Sequence, residues 1–193
     1  MFLTHRPTKS EIEKFIDESS NLPLSYHPVG LAKESPPGFN VDAASAIVGQ
    51  GGDSFARARR ALTEWRHFEL GWVELFPRAA SIEAGTVVAV LVHHLGFWSL
   101  NGCRVVYKFG DDGVSRFGFA YGTLTNHAEM GEESFEVSLA RETEEVTYRI
   151  RAVSKPRAVL ARIGYPYARI SQSRFRRDSI AVMRRHQRYL VGT

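Results

Sequence analysis

Apolar and polar positions recur along this chain with two periods: near 3.6 residues at its ends and in one inner segment, and 2 residues through most of the middle. The first helical stretch, EIEKFIDESSNL, puts Ile12, Phe15 and Ile16 on one face; Ser10 stands as its N-cap, Glu13 completes a capping box, and Pro23 lies past its end. Three prolines and two glycines between Leu24 and Asn40 predict an extended, irregular arm, with a short strand around Tyr26 to Leu31. After it VDAASAIVG reads as a strand. GQGG breaks that strand, and Asp53 or Ser54 caps a helix with Phe55, Ala58, Leu62 and Trp65 at helical spacing.

Six strands are predicted in succession beyond that helix, at Leu70 to Phe76, Thr86 to His94, Asn101 to Phe109, Ser115 to Leu124, Glu133 to Leu139 and Val146 to Val153. Turn signals such as Asp111-Asp112-Gly113 separate them. Val105, Tyr107 and Phe109 share one face by parity, Phe117, Phe119, Tyr121 and Thr123 another, and Tyr148 and Ile150 a third. Lys155-Pro156 opens a last helical region to about Tyr189, with Leu160, Ile163, Tyr167 and Ile170 as its apolar stripe and Pro166 as a kink. This order lacks the successive crossover helices of a doubly wound parallel sheet. It predicts an α+β fold, a curved antiparallel sheet of about seven strands around a long C-terminal helix. No repeat or linker divides the chain, so one domain is expected over 1–193, with an N-terminal helix and irregular arm over 1–40 and the core over 41–190.

Composition adds an address and a charge bias. Hydrophobic residues make up 44% of the 193 and charged residues 24%, enough to build a single core. No apolar run reaches the roughly 18 residues of a membrane-spanning helix, and the opening MFLTHRPTKSEIEK lacks the apolar segment of a signal peptide, so a cytoplasmic location is expected. Cys103 stands alone and cannot form an internal disulfide. The net charge of +4 is uneven: residues 155 to 193 hold ten Lys and Arg against Asp178 alone, while the rest of the chain holds 15 bases against 20 acids. Arg176, Arg177, Arg184 and Arg185 therefore mark a basic surface suited to anionic lipid or nucleic acid, although a solvated helix face accounts for the same charges. Only Phe175 and Tyr189 interleave with these bases as stacking residues, which disfavours nucleic acid.

Several motifs together resemble the uncharacterised protein family 0548, a domain of unknown function in bacteria and plants. They are Ala61-Leu62-Thr63-Glu64-Trp65-Arg66-His67-Phe68-Glu69-Leu70-Gly71-Trp72, Cys103-Arg104-Val105-Val106-Tyr107, Phe117-Gly118-Phe119-Ala120-Tyr121-Gly122-Thr123-Leu124, His127 and Gly131-Glu132-Glu133, with Ser154-Lys155-Pro156, Gly164-Tyr165-Pro166 and Arg174-Phe175 near the end. The resemblance carries no reaction with it. The element order also looks like that of the START and Bet v 1 superfamily. That likeness implies a helix-grip fold with a hydrophobic ligand between the sheet and the C-terminal helix, and it favours binding over catalysis.

Candidate chemistry is sparse. Trp72, Trp98, Tyr107, Phe119, Tyr121, Tyr148 and Tyr167 are candidates to line a cavity for a small lipophilic or amphipathic molecule, or simply to fill the core. His127 with Glu129 or Glu133 is a weak candidate for acid–base chemistry of a hydrolase or cyclase type; the alternative is that His127 caps a turn. No catalytic constellation is spaced as a mechanism needs, so an enzyme is the less favoured reading. Gly49-Gln50-Gly51-Gly52 is a poor phosphate loop, because Ser54 replaces the third glycine and Asp53 brings a negative charge. His93 and His94 point to opposite faces of a strand, so no metal site and no cofactor are expected. Arg104 has outward parity if Cys103 and Val105 face the cavity, and Arg149 and Arg151 flank Ile150 in the same manner.

Overall fold

Alternating apolar and polar positions build one antiparallel sheet from β1 (Phe2–Leu3), β2 (Asn40–Gln50), β3 (Val73–Phe76), β4 (Val87–His94), β5 (Phe97–Gly110), β6 (Arg116–Thr123), β7 (Glu129–Leu139) and β8 (Glu145–Pro156). The main path runs β2-β8-β7-β6-β5-β4-β3, and the two-residue β1 pairs with β5 at Trp98 and Ser99. Among the described residues three α-helices accompany it: α1 (Lys9–Ser19), α2 (Gly52–Thr63) and α3 (Tyr165–Arg188). The computed structural model describes residues 1–34, 36–110, 114–156 and 165–188, with side chains in the last stretch from Arg169 to Gln187. The turn expected at 111–113, and Leu160, Ile163 and the side chain of Tyr167, lie outside the described residues.

The concave face carries the main core. Phe55, Ala58 and Leu62 of α2, then Trp65 and Phe68 in the following turn, pack on Val88, Cys103, Val105, Phe119, Phe135, Val137, Tyr148 and Ile150. Met183 of α3 joins them, with Phe175 and Ile180 at the margin. Each large side chain removed from water here contributes about 1.5–3 kcal/mol. α1 covers the convex side, laying Ile12 and Phe15 on Ala89, Leu91 and Leu100. β4 is thus apolar on both faces, which is why it reads as a continuous run of Val, Ala and Leu.

Some local expectations give way to the structure. The N-cap of α1 is Thr8, with Glu11 as capping-box partner, in place of Ser10 and Glu13. Both registers fit the motif, and the earlier one lets the Glu11 carboxylate accept from the Thr8 backbone N–H at 2.7 Å. Gly51 caps α2 at φ 80°, a left-handed value that glycine tolerates, while Ser54 turns inward instead. No strand forms over Tyr26 to Leu31; this segment makes an isolated bridge at Leu24 and a 3-10 turn at Leu31–Lys33. Pro156 is the last residue of β8, the stretch after it to residue 164 lies outside the described residues, and Pro166 sits in the first turn of α3, where its missing N–H costs nothing. Ile170 is 66% exposed, and the buried stripe of α3 among the described residues is Ser179, Val182, Met183 and Gln187, with Phe175 partly buried beside it.

A bulge in β5 has the widest consequence. The register against β6 slips between Val105 and Tyr107, so Val105 pairs with Tyr121 but Tyr107 pairs with Ala120. An extra residue in one strand reverses its later side chains. Tyr107 therefore leaves the face of Cys103 and Val105 and stands on the convex side.

Candidate functional site

Strand register sets a polar row across the concave face. Asp42 on β2 pairs with Ala152, Ala152 with Glu133, Glu133 with Tyr121, and Tyr121 with Val105. Two carboxylates thus flank one small residue. The Tyr121 hydroxyl donates to Glu133 at 2.7 Å. One turn lower, Glu129 accepts from Gln172 of α3 at 2.7 and 2.8 Å. Arg169 forks onto both oxygens of Asp42, one bond measuring 2.8 Å, and Arg176 reaches Asp42 at 3.2 Å. Burial pushes Glu133 up to about 7, against the opposing pull of the Tyr121 hydrogen bond and the Arg176 charge. Burial also raises Glu129. Glu133 is therefore poised to exchange a proton near neutral pH.

Beside this row lies an open groove of about 710 Å³ between β2 and α3. Its floor is Ala43, Ala44 and Ala46 with Ile180 and Ala181, and its walls are Ser173, Arg176, Arg177, Arg184 and Arg185. The run Ala-Ala-Ser-Ala in β2 creates it, because side chains this small leave the helix unsupported along that flank. Two of the groove-lining arginines cross from helix to strand, as Arg169 does: Arg176 to Asp42, and Arg184, whose Nε donates to the Ile47 carbonyl at 3.1 Å. Arg176 touches both environments. Its side chain is only 13% exposed, it lines the groove, and its charge acts on Glu133.

The six aromatic candidates with described side chains do not surround one space. Phe119, Tyr121 and Tyr148 are packed into the main core, where ring centroids of 4.7 Å for Trp65–Phe119 and 5.4 Å for Phe119–Phe135 leave rings against rings. Tyr148 also meets the Ser179 hydroxyl of α3 at 2.9 Å. Trp72 lies at the rim, donating to Asp178 at 3.1 Å under the guanidinium of Arg174. Trp98 and Tyr107 are on the convex face, Trp98 stacked on His93 and Tyr107 donating to Glu132. His127 forms no pair with the Glu129 or Glu133 carboxylate among the described residues. Its Nδ1 accepts from the Glu129 backbone N–H at 2.9 Å, and burial lowers it to about 4, so it is a neutral turn residue. Arg104 points outward, as its parity indicates, and donates to the carbonyls of Ser20 and Leu22 just past α1. The four basic-surface arginines all line the groove.

Three residues escape a sequence reading. Asp42 is the single acid in an otherwise small and apolar strand, a signal that was available in VDAASAIVG. Glu132, 2% exposed, gathers four donors on the convex side: Tyr26 and Tyr107 hydroxyls at 2.6 Å each and the Gly30 and Ala32 N–H groups at 2.9 and 3.1 Å. Nothing in its neighbours marks it, since Glu133 beside it faces the other way. His67 is fully buried, neither ring nitrogen has a partner among the described residues, and burial lowers it to about 3. It serves as a neutral ring between Trp65 and Phe135.

Residues 25–182 match a family described as "Domain of unknown function (DUF1990)". A "UPF0548 protein" of Dictyostelium discoideum is 32% identical over 93% of this chain and 92% of its own length, and one of Arabidopsis thaliana is 33% identical over 77% and 74%. Among solved structures, TTHA0849 from Thermus thermophilus superposes at a TM-score of 0.55 with 10% identity, covering 77% of this chain and 97% of that one. The di-domain ARO/CYC StfQ from the steffimycin biosynthetic pathway gives 0.53 at 10% identity, over 80% of this chain and 52% of its own. These likenesses support the helix-grip fold at a level of identity that speaks to fold alone.

Proposed function

Because the chain belongs to the DUF1990 family, whose description assigns no activity, we propose a function from its own geometry: it binds a small amphipathic molecule in the groove between β2 and α3. The observation that carries this is the groove itself, whose volume lies within the range of small-molecule sites and which joins an apolar floor to a few polar groups. The helix-grip scaffold supplies the two rigid walls, an edge strand and a long helix. The binding place is the outer seam of sheet and helix, beside the ring-filled concave core. Native mass spectra of gently purified protein, taken before and after organic extraction, test the proposal. A stoichiometric adduct that Ala44→Leu abolishes supports it; an adduct that Ala44→Leu retains contradicts it.

A second reading rests on Glu133. A carboxyl that titrates near 7, touches a phenol and lies close to a guanidinium has the equipment of a general acid or base. In this reading Glu133 moves the proton, Tyr121 orients it, and His127 only shapes the adjoining turn. Turnover of a ligand recovered from the protein, lost in Glu133→Gln with binding intact, would favour it over simple carriage.

A further inference from the structure

We infer that the groove is selective for an anionic amphiphile, a single apolar tail ending in a carboxylate or phosphate monoester held by Arg177 and Arg185. This inference rests on the ligand-binding reading and names the class of its ligand. Four arginines, Arg176, Arg177, Arg184 and Arg185, line the groove, and the acids in ion-pair contact with them are Asp42, held by Arg176, and Asp178, held by Arg177. Positive charge is in excess along this rim. Structure has already committed some of them: Arg176 is recessed on Asp42, and the Nε of Arg184 is taken by the Ile47 carbonyl. The outer rim is different. Arg177 has a side chain 76% exposed and spends only its Nε, at 3.2 Å, on Asp178, which Arg174 and Trp72 already share. Arg185 makes no polar contact among the described residues.

The shape selects among anions. The lining positions on α3 run from Ser173 to Arg185 at helical spacing, a length of about 18 Å at 1.5 Å per residue, and the facing strand contributes alanines. A tail of about ten carbons lies along such a floor, and the guanidinium forks match a carboxylate or phosphate at its end. A planar membrane surface fits less well, since Arg176 and the alanine floor sit below the rim. Nucleic acid fits less well too, because among the described residues no aromatic side chain lines the groove for a base to stack on.

The test titrates the full chain calorimetrically with three probes that share one tail, decyl phosphate, decyl maltoside and decyltrimethylammonium, all below their micellar concentrations. The expected order is decyl phosphate tightest by at least about tenfold, the usual worth of a charge-assisted contact. Arg177→Glu with Arg185→Glu is expected to invert that order, so that decyltrimethylammonium binds better than decyl phosphate; a merely unfolded variant would not invert it. Ala44→Leu is expected to weaken all three, and Ala46→Leu, which lines the groove from the same face of β2, serves if the first variant does not fold. Equal binding of all three probes, each abolished by the leucine, overturns the anion selectivity and leaves the groove reading standing. Binding indifferent to either leucine overturns the groove reading as well. Retention on phosphatidylcholine vesicles that contain phosphatidylglycerol, with no binding of monomeric decyl phosphate, also overturns the inference in favour of a membrane surface.

Discussion

Replacing Glu133 by Gln removes a carboxyl that the fold holds at about 7 rather than the ordinary 4.5. The sign follows from proton counting: between those values the native state keeps a proton that the unfolded chain has lost, so this group's stability contribution is full below pH 4.5 and falls as pH rises to 7. At 1.36 kcal/mol per pH unit the whole shift is worth about 3 kcal/mol, and roughly 2.5 kcal/mol of it develops between about pH 5 and pH 8. His67 and His127 work in the opposite direction. Held at about 3 and about 4, they add stability as pH rises toward 6.5, so the wild-type curve alone conceals the effect. The difference between Glu133→Gln and wild type isolates it. Urea unfolding of both proteins at about pH 5 and pH 8 should show the variant gaining about 2–3 kcal/mol on wild type over that interval. A difference that stays constant with pH would refute the burial of Glu133 and, with it, its role as a group poised near neutrality.

Glu132→Gln should cost about 2–4 kcal/mol, because an amide cannot accept from two phenols and two N–H groups at once; faster limited proteolysis within residues 24–34 would register the release of that segment. Gly122→Ala attacks the same anchor by sterics: its Cβ would collide with the Tyr26 hydroxyl, so displacement of the Tyr26 ring and a similar proteolytic signature are expected. Thr8→Ala removes the α1 cap and should lower stability by about 1 kcal/mol in thermal unfolding, whereas Ser10→Ala should change it little. Cys103, fully buried with its thiol pushed up by burial, should resist alkylation until the protein unfolds, as a mass-shift assay would report.

The fold was legible because its strands alternate strongly and its helices carry apolar stripes. β6 and β8 lie close to where period-2 patterning puts them, β4 where its continuous apolar run does, and the antiparallel order follows from the lack of crossover helices. Register was less legible. One extra residue at Val106 reverses Tyr107, and no rule of alternation announces a bulge. The arginines of the site were visible as a charge cluster, yet their meaning depends on the Ala-Ala-Ser-Ala run far earlier in the chain, which reads only as a strand until α3 is laid beside it. His127 illustrates the converse: a chemically attractive residue that the backbone has already claimed.

The most direct measurement is an amide-resolved NMR titration of the protein with decyl phosphate. The account predicts saturable shifts concentrated at Ala43 to Ala46 of β2 and Ser173 to Arg185 of α3, with the core around Phe119 and Phe135 unmoved. Saturable shifts centred elsewhere, or none in the groove at concentrations where the probe is monomeric, would contradict it.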